Sequence, residues 1–234
     1  MSWKKVLIKL SGEALAGPLK SGFDHETMRS IVSEICGLKD MGLRVGITIG
    51  GGNIFRGSFA SKEIRRVSAD YMGMLATVMN GIALRDLFEH MGKPAEVYSP
   101  LGVISVAEPY NIRNALRSFD EGKILIFSGG TGRPFFTTDT AASLTAVELG
   151  CDLLVKATNV DGVYSADPVV DKSATLYRRI SYQEALEKNL RVMDLTAFTL
   201  LKDNNLPLVV LNIHKKGSLA ALARGEQVGT LVSE

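Results

Sequence analysis

The sequence predicts an α/β protein with a parallel or mostly parallel sheet covered by helices on both faces. Three observations predict it. Short apolar runs alternate with helix-period segments from end to end. Those runs have the length and branching of buried strands. Several of them end in glycine-rich or charged loops, where open α/β sheets bind ligands.

The first run, residues 3–10, centres on Val6-Leu7-Ile8. Asp24 can cap a helix whose apolar positions Met28, Ile31, Val32, Ile35 and Leu38 follow the helical period. Gly42 ends that helix, and 43–49 reads as the next strand. A long helical stretch spans 62–91. Its middle, 71–78, is apolar nearly all round, so it is central or pressed against a partner subunit. Strands follow at 95–98 and 123–127, with a helix at 108–119 between them. Residues 138–149 are helical and 152–156 form a strand. The 158–177 stretch is loop-rich with room for short strands. Helices at 182–189 and 195–204 precede a strand at 208–211, and 229–232 reads as the last strand. Neither a repeat nor a linker interrupts this order, so 1–234 is expected to be one domain.

Hydrophobic residues make up 46% of the 234 and charged residues 22%, a globular balance. The net charge of +2 is too slight for a nucleic-acid or membrane-surface protein, so neither partner is expected. Cys36 and Cys151 sit in apolar surroundings and read as reduced and buried, without metal-site spacing. A strand that starts almost at once leaves no room for a signal peptide. With no apolar run of about 18 residues, the expected compartment is the cytoplasm. His25, His90 and His214 share no spacing and read as surface residues.

Four strand ends carry residues suited to anions. In Lys9-Leu10-Ser11-Gly12 a lysine ends an apolar strand. It is either solvated or a cation for transferring phosphate oxygens, with Ser11 and Gly12 as donors. In Gly50-Gly51-Gly52-Asn53, glycines permit close backbone approach, positive φ and a nest of N–H groups, and Arg56 adds a planar fork. Neither the Walker motif nor the dinucleotide fingerprint fits: Arg56-Gly57 replaces the Gly-Lys pair, and Phe55 stands where a third glycine belongs. The stretch Ser128 to Asp139 runs from a strand through glycines into a helix start near Thr137 or Thr138, which favours phosphate. Phe135 and Phe136 there either wall a base pocket or join the core. After Lys156, Asp161-Gly162 marks a turn; Tyr164 can stack on adenine and Asp167 can accept from a ribose or amino group. No nucleophile–base–acid set is visible. Cations and nests without one suit phosphoryl transfer, which needs positioning and charge neutralisation.

At these residues the sequence resembles the bacterial UMP kinases of the amino acid kinase family. The resemblance spans nearly the whole chain. It rests on Lys9 to Leu15, Gly50 to Asn53 with Phe55-Arg56-Gly57, Asp70 to Thr77, Gly132 and Pro134 to Asp139, Lys156-Ala157-Thr158, Val160 to Val163 and Val192 to Leu195. The Asp70–Thr77 and Phe135–Asp139 stretches are the more specific. The resemblance implies a three-layer αβα amino acid kinase fold, a homohexamer built from dimers, Mg²⁺-ATP as donor and UMP as acceptor in pyrimidine nucleotide biosynthesis. It implies ATP binding by Lys9, Leu10, Ser11, Gly12, Gly52, Arg56, Asn159, Tyr164 and Asp167. UMP would meet Gly51, Asp70, Thr131, Gly132, Arg133, Pro134, Phe135, Phe136, Thr137 and Thr138. Catalysis would fall to Lys9, Arg56, Asp139, Lys156 and Asp194, with Lys9 and Lys156 neutralising charge, Asp139 organising the site or Mg²⁺, and Asp194 orienting the lysines. No side chain is assigned as a metal ligand beyond that. GTP and UTP enter as effectors of the family, although Gly22-Phe23-Asp24 is shorter than the segment usual there. A nucleotide sensor or storage protein on the same fold, and a carbamate or acetylglutamate kinase, are the alternatives.

Overall fold

A computed structural model describes residues 3–55, 63–168, 170–190 and 192–234. The elements follow in the order β1 (Lys5–Leu10), α1 (Gly12–Ala16), α2 (His25–Asp40), β2 (Arg44–Ile49), α3 (Arg66–His90), β3 (Ala95–Ser99), β4 (Glu108–Pro109) and α4 (Ile112–Asp120). They continue with β5 (Ile124–Phe127), α5 (Thr138–Glu148), β6 (Leu153–Thr158), β7 (Arg179–Ser181), α6 (Tyr182–Glu187), α7 (Leu195–Asp203), β8 (Leu208–Asn212), α8 (Ser218–Ala223) and β9 (Thr230–Ser233).

Nine strands form one sheet in the order β4-β3-β5-β2-β1-β6-β8-β9-β7. Every pairing is parallel except β8 with β9. Strand alternation splits the core into two sides. Val6, Ile8 and Leu10 of β1 pack with Met28, Ile31 and Ile35 of α2, Leu84 and Phe88 of α3, and Leu219 of α8. Leu7 faces the other way, toward Phe119 of α4, Ala142 and Ala146 of α5, Tyr182 of α6 and Phe198 and Leu201 of α7. This is the expected αβα sandwich. At about 25 cal/mol per Å² of apolar area, two such cores are the dominant stabilising term.

The helices begin where the sequence supplies caps. Asp24 accepts from Thr27 N at 2.8 Å, and Thr137, Ser181 and Asp194 cap α5, α6 and α7 likewise. One expected helix is shorter than its period suggests. The 108–119 segment starts helical only at Ile112, because Asn111 caps Arg113 and Asn114, while Glu108–Pro109 pairs as an edge strand beside β3. Proline biases the residue before it toward extended backbone and lacks an N–H for the ladder, which suits an edge. The expected 62–91 helix is observed from Arg66, and Lys62 lies outside the described residues. Three short elements, α1, β7 and α8, carry too few periodic residues to be read from sequence. Beyond the end of β6 at Thr158, the described part of 159–177 carries one antiparallel bridge, Tyr164 to Leu176. His25, His90 and His214 are exposed, and both cysteines are free and buried. No described helix is long and apolar enough to cross a membrane.

Candidate active site

The centre of the site is set by strand register. Lys9 on β1 pairs directly with Lys156 on β6, so both side chains leave the same face of the sheet. That is the face of Leu7, where α5 packs. The first turn of α5 brings Asp139 between them. Its Oδ1 lies 2.9 Å from Lys9 Nζ and its Oδ2 2.7 Å from Lys156 Nζ. Lys156 Nζ also donates to Val192 O at 2.6 Å. All three side chains are 13–16% exposed. Burial alone would raise the Asp139 carboxyl, but the two ammonium groups outweigh it and hold it below the ordinary value. Burial pushes the Lys156 ammonium down, against the pull of Asp139 upward. One carboxylate thus holds two mutually repelling cations in a nearly dry site, leaving a net positive charge. The N-terminus of α5 adds to it.

Asp194 touches neither lysine. Its carboxylate accepts from Thr137 Oγ1, from Thr140 Oγ1 at 3.0 Å and from Ala197 N at 3.0 Å. It therefore pins the start of α5, which carries Asp139, to the start of α7. Thr140 was not read from sequence; a hydroxyl one turn inside a helix gives no signal until the facing helix is known.

The glycine loop after β2 lies against α1 and α3. None of Gly50, Gly51 or Gly52 uses the positive φ that glycine permits. Close approach demands Gly51, whereas a Cβ on Gly52 would meet nothing nearer than 3.4 Å. A Cβ on Gly51 would stand 2.7 Å from Gly73 O and 2.9 Å from Ala76 Cβ. On Gly12 it would stand 2.4 Å from Asn53 Oδ1 and 2.7 Å from Gly52 N. Positive φ occurs instead at Gly129, Gly130 and Gly132. Arg56, expected to grip phosphate, lies outside the described residues.

Two clefts lie by this cluster, one reaching Lys156 and the other reaching Thr138 beside Asp139. One, of about 300 Å³, is lined by Gly51, Gly52, Asp70, Gly73, Thr77, Thr131, Arg133, Phe136, Thr137 and Thr138. This gathers most of the residues expected at the acceptor, and Gly52, expected at the ATP phosphates, lines it too. Gly132, Pro134 and Phe135 are not on its wall. Phe135 is 66% exposed with φ 73°, its N–H donates to Asp70 Oδ2 at 2.8 Å, and Arg66 covers its ring. Phe135 thus neither walls a pocket nor joins the core; its backbone docks the loop on α3. Asp70 Oδ1 also accepts from Arg66 Nε at 2.7 Å.

The other cleft, of about 530 Å³, is lined by Lys156, Tyr164 and Asp167 as expected, together with Lys188, Asn189, Leu190 and Val192. Lys188, Asn189 and Leu190 were missed because the sequence gives no hint that the segment after α6 folds back over β6, and Val192 was noted only as part of the resemblance. Asn159 is not on that wall; its Oδ1 meets His214 Nε2 at 3.0 Å. Leu10 is fully buried, so it can offer only backbone, and its carbonyl already accepts from Gly50 N at 2.9 Å. Ser11 Oγ caps α1 at 3.3 Å from Ala14 N.

A nearly buried Lys9–Asp139–Lys156 cluster, with Lys156 on the wall of one cleft and Thr138, beside Asp139, on the wall of the other, marks a phosphotransferase on an α/β scaffold. Residues 4–212 match the family described as "Amino acid kinase family". The chain is 49% identical over 231 residues to a uridylate kinase from Methylococcus capsulatus, covering 98% of this chain and 97% of that one. It superposes on a UMP kinase structure from Bacillus anthracis with TM-score 0.97 and 41% identity, covering 100% and 97% of the two chains. A UMP kinase structure from Ureaplasma parvum gives TM-score 0.94 and 34% identity over 100% of both. The chain belongs to the amino acid kinase family.

Proposed function

We infer that this chain transfers the γ-phosphoryl group of ATP to UMP, giving ADP and UDP in pyrimidine nucleotide biosynthesis. One observation carries the reading. Lys156 lines the larger cleft, Thr138 lines the smaller, and Asp139, beside Thr138, is bonded to Lys156. A phosphoryl group passing between the clefts crosses the cation pair. The uridylate kinase relatives support UMP as the acceptor.

In this mechanism the adenosine of ATP occupies the cleft of Tyr164 and Asp167. Lys9 and Lys156 meet the γ-phosphate oxygens, and the amides around Gly12 and Gly52 cradle the chain of phosphates. UMP places its phosphate at the start of α5 and its ribose near Asp70. A phosphate monoester with a second pKa near 6 is largely dianionic at neutral pH, so the attacking oxygen needs no general base. The transition state spreads charge over the equatorial oxygens, and preorganised cations stabilise it most. Among the described residues no group of three or more His, Cys, Asp or Glu could cage a metal. Asp139 is the carboxylate at the centre, and both its oxygens face lysines. That donor set fits Mg²⁺ brought in on ATP phosphates, where it would supply charge neutralisation, with Asp139 nearest to it.

The test is a coupled ADP-release assay with UMP, CMP, dUMP, carbamate and acetylglutamate, run with and without GTP and UTP as proposed effectors. ADP release dependent on UMP is expected. Release with carbamate or acetylglutamate in its place overturns the acceptor assignment. Within it, Asp70→Asn is expected to raise the UMP KM far more than the ATP KM, because Asp70 accepts from ribose hydroxyls and holds Phe135; equal shifts would remove that role.

We also propose that α3 packs against a second copy, as a step toward a hexamer. Tyr71, Met72, Leu75 and Met79 on this helix are 41–53% exposed, an apolar surface that water disfavours. Light scattering at micromolar protein should give an oligomer; a monomer contradicts the assembly. Free, buried cysteines suit the cytoplasm proposed for the reaction.

A further inference from the structure

A buried pair of amides joins the glycine loop to α3. Asn53 and Asn80 are 1% and 0% exposed. Asn80 Nδ2 donates to Asn53 Oδ1 and to Gly50 O, both at 2.7 Å. Asn53 Nδ2 donates to Asn80 Oδ1 and to Gly22 O, both at 3.0 Å. All four amide hydrogens of the pair are used. Its buried neighbours on the helix include the apolar Ala76, Val78 and Leu84. A leucine there would serve packing, whereas a fully satisfied polar network fixes one arrangement of the groups it joins.

The group it fixes is the Gly50–Gly51 peptide. In a trans peptide the carbonyl and the following N–H point to opposite sides. With Gly50 O held by Asn80, the Gly51 N–H is turned away from Asn80. That N–H donates to no described residue, and Gly51 lines the smaller cleft. Glycine has no side chain to brace this loop, so the bracing must come from neighbours.

We propose that Asn80, acting with Asn53, is a positioning residue that aims the Gly51 N–H at the acceptor phosphate. This rests on the reading of UMP as acceptor. Asn80 does not touch the nucleotide; it acts through the loop.

Steady-state kinetics of Asn80→Ala and Asn80→Asp, with both substrates varied, test it. A variant that merely loses folded protein lowers kcat and leaves both KM values unchanged. Mispositioning of the loop is expected to raise the UMP KM by about tenfold and lower kcat/KM for UMP by up to about 100-fold. The ATP KM stays within about twofold. Asn80→Asp adds a second readout. A protonated carboxyl can still donate to Gly50 O, and a carboxylate cannot, so its kcat/KM for UMP relative to wild type should recover as pH falls from about 9 to about 6. An unchanged UMP KM in Asn80→Ala, or a ratio for Asn80→Asp that is flat with pH, overturns the inference. If Asn80→Ala does not fold, Asn80→Asp decides alone. Wild-type protein without UMP turnover overturns the acceptor reading and this inference with it, whereas normal wild-type turnover beside unaffected variants overturns the inference only.

Discussion

Lys9→Ala is expected to lower kcat about 10²–10³-fold while leaving both KM values close to wild type. Lys9 sits where a core leucine or isoleucine would otherwise stand, on the α5 side of β1, with its ammonium 2.9 Å from Asp139 and its side chain 13% exposed. Such a cation does not reorganise when charge moves onto the transferring oxygens, which is why its loss falls mainly on the transition state. Ground-state binding depends more on the backbone donors of the glycine loops and on the two clefts. Folding should be largely spared, because Asp139 keeps its 2.7 Å partner Lys156. Steady-state rates with a melting curve as control decide the matter; turnover near wild type would remove Lys9 from the catalytic set.

Asp139→Asn is expected to damage both stability and rate. The amide leaves two nearly buried ammonium groups without the charge that holds them together. Removing one partner of a buried ion pair costs about 3–5 kcal/mol. The effect has a pH signature. Asp139 titrates below the ordinary carboxylate value when folded, because Lys9 and Lys156 outweigh its burial. Its stabilisation is therefore fully present above the unfolded value of 3.8 and is lost as pH falls through the lower folded value. Lys156 carries the opposite sign. Burial depresses it below 10.5 when folded, so the folded state favours the neutral amine and is stabilised as pH rises through the lowered value toward 10.5. The gap between wild type and variant should be wide at neutral pH, close below about pH 4, and narrow again on the alkaline side. Urea unfolding across that range measures it. A variant as stable as wild type at pH 7 would mean that the carboxylate does not bind the cluster together.

Much of the site was legible because chemistry and fold share the same punctuation. A lysine at the end of an apolar strand, as at Lys9 and Lys156, breaks alternation visibly. So do three glycines after β2 and a hydroxyl-rich start to α5. Asp139 entered the site through the family resemblance, its local reading being a cap at that helix start. What stayed hidden depended on partners far away in the chain. Asn80 lies 27 residues from Asn53, and Thr140 lies 54 from Asp194. Asn159, expected at the adenosine from the family resemblance, and Phe135 also have partners far away in the chain: Asn159 Oδ1 meets His214, and the Phe135 ring lies exposed under Arg66.

By itself, then, the sequence determined the αβα order, the strand-end cations and the glycine-rich loops beside them, since each follows from local periodicity, branching and composition. Tertiary structure alone decided that β1 and β6 are neighbours in a register that pairs Lys9 with Lys156. It decided too that one carboxylate serves both, and that buried amides hold the glycine loop of the smaller cleft. Strand order and helix docking are settled by burial of apolar faces across the whole molecule, and no short stretch of residues encodes that sum.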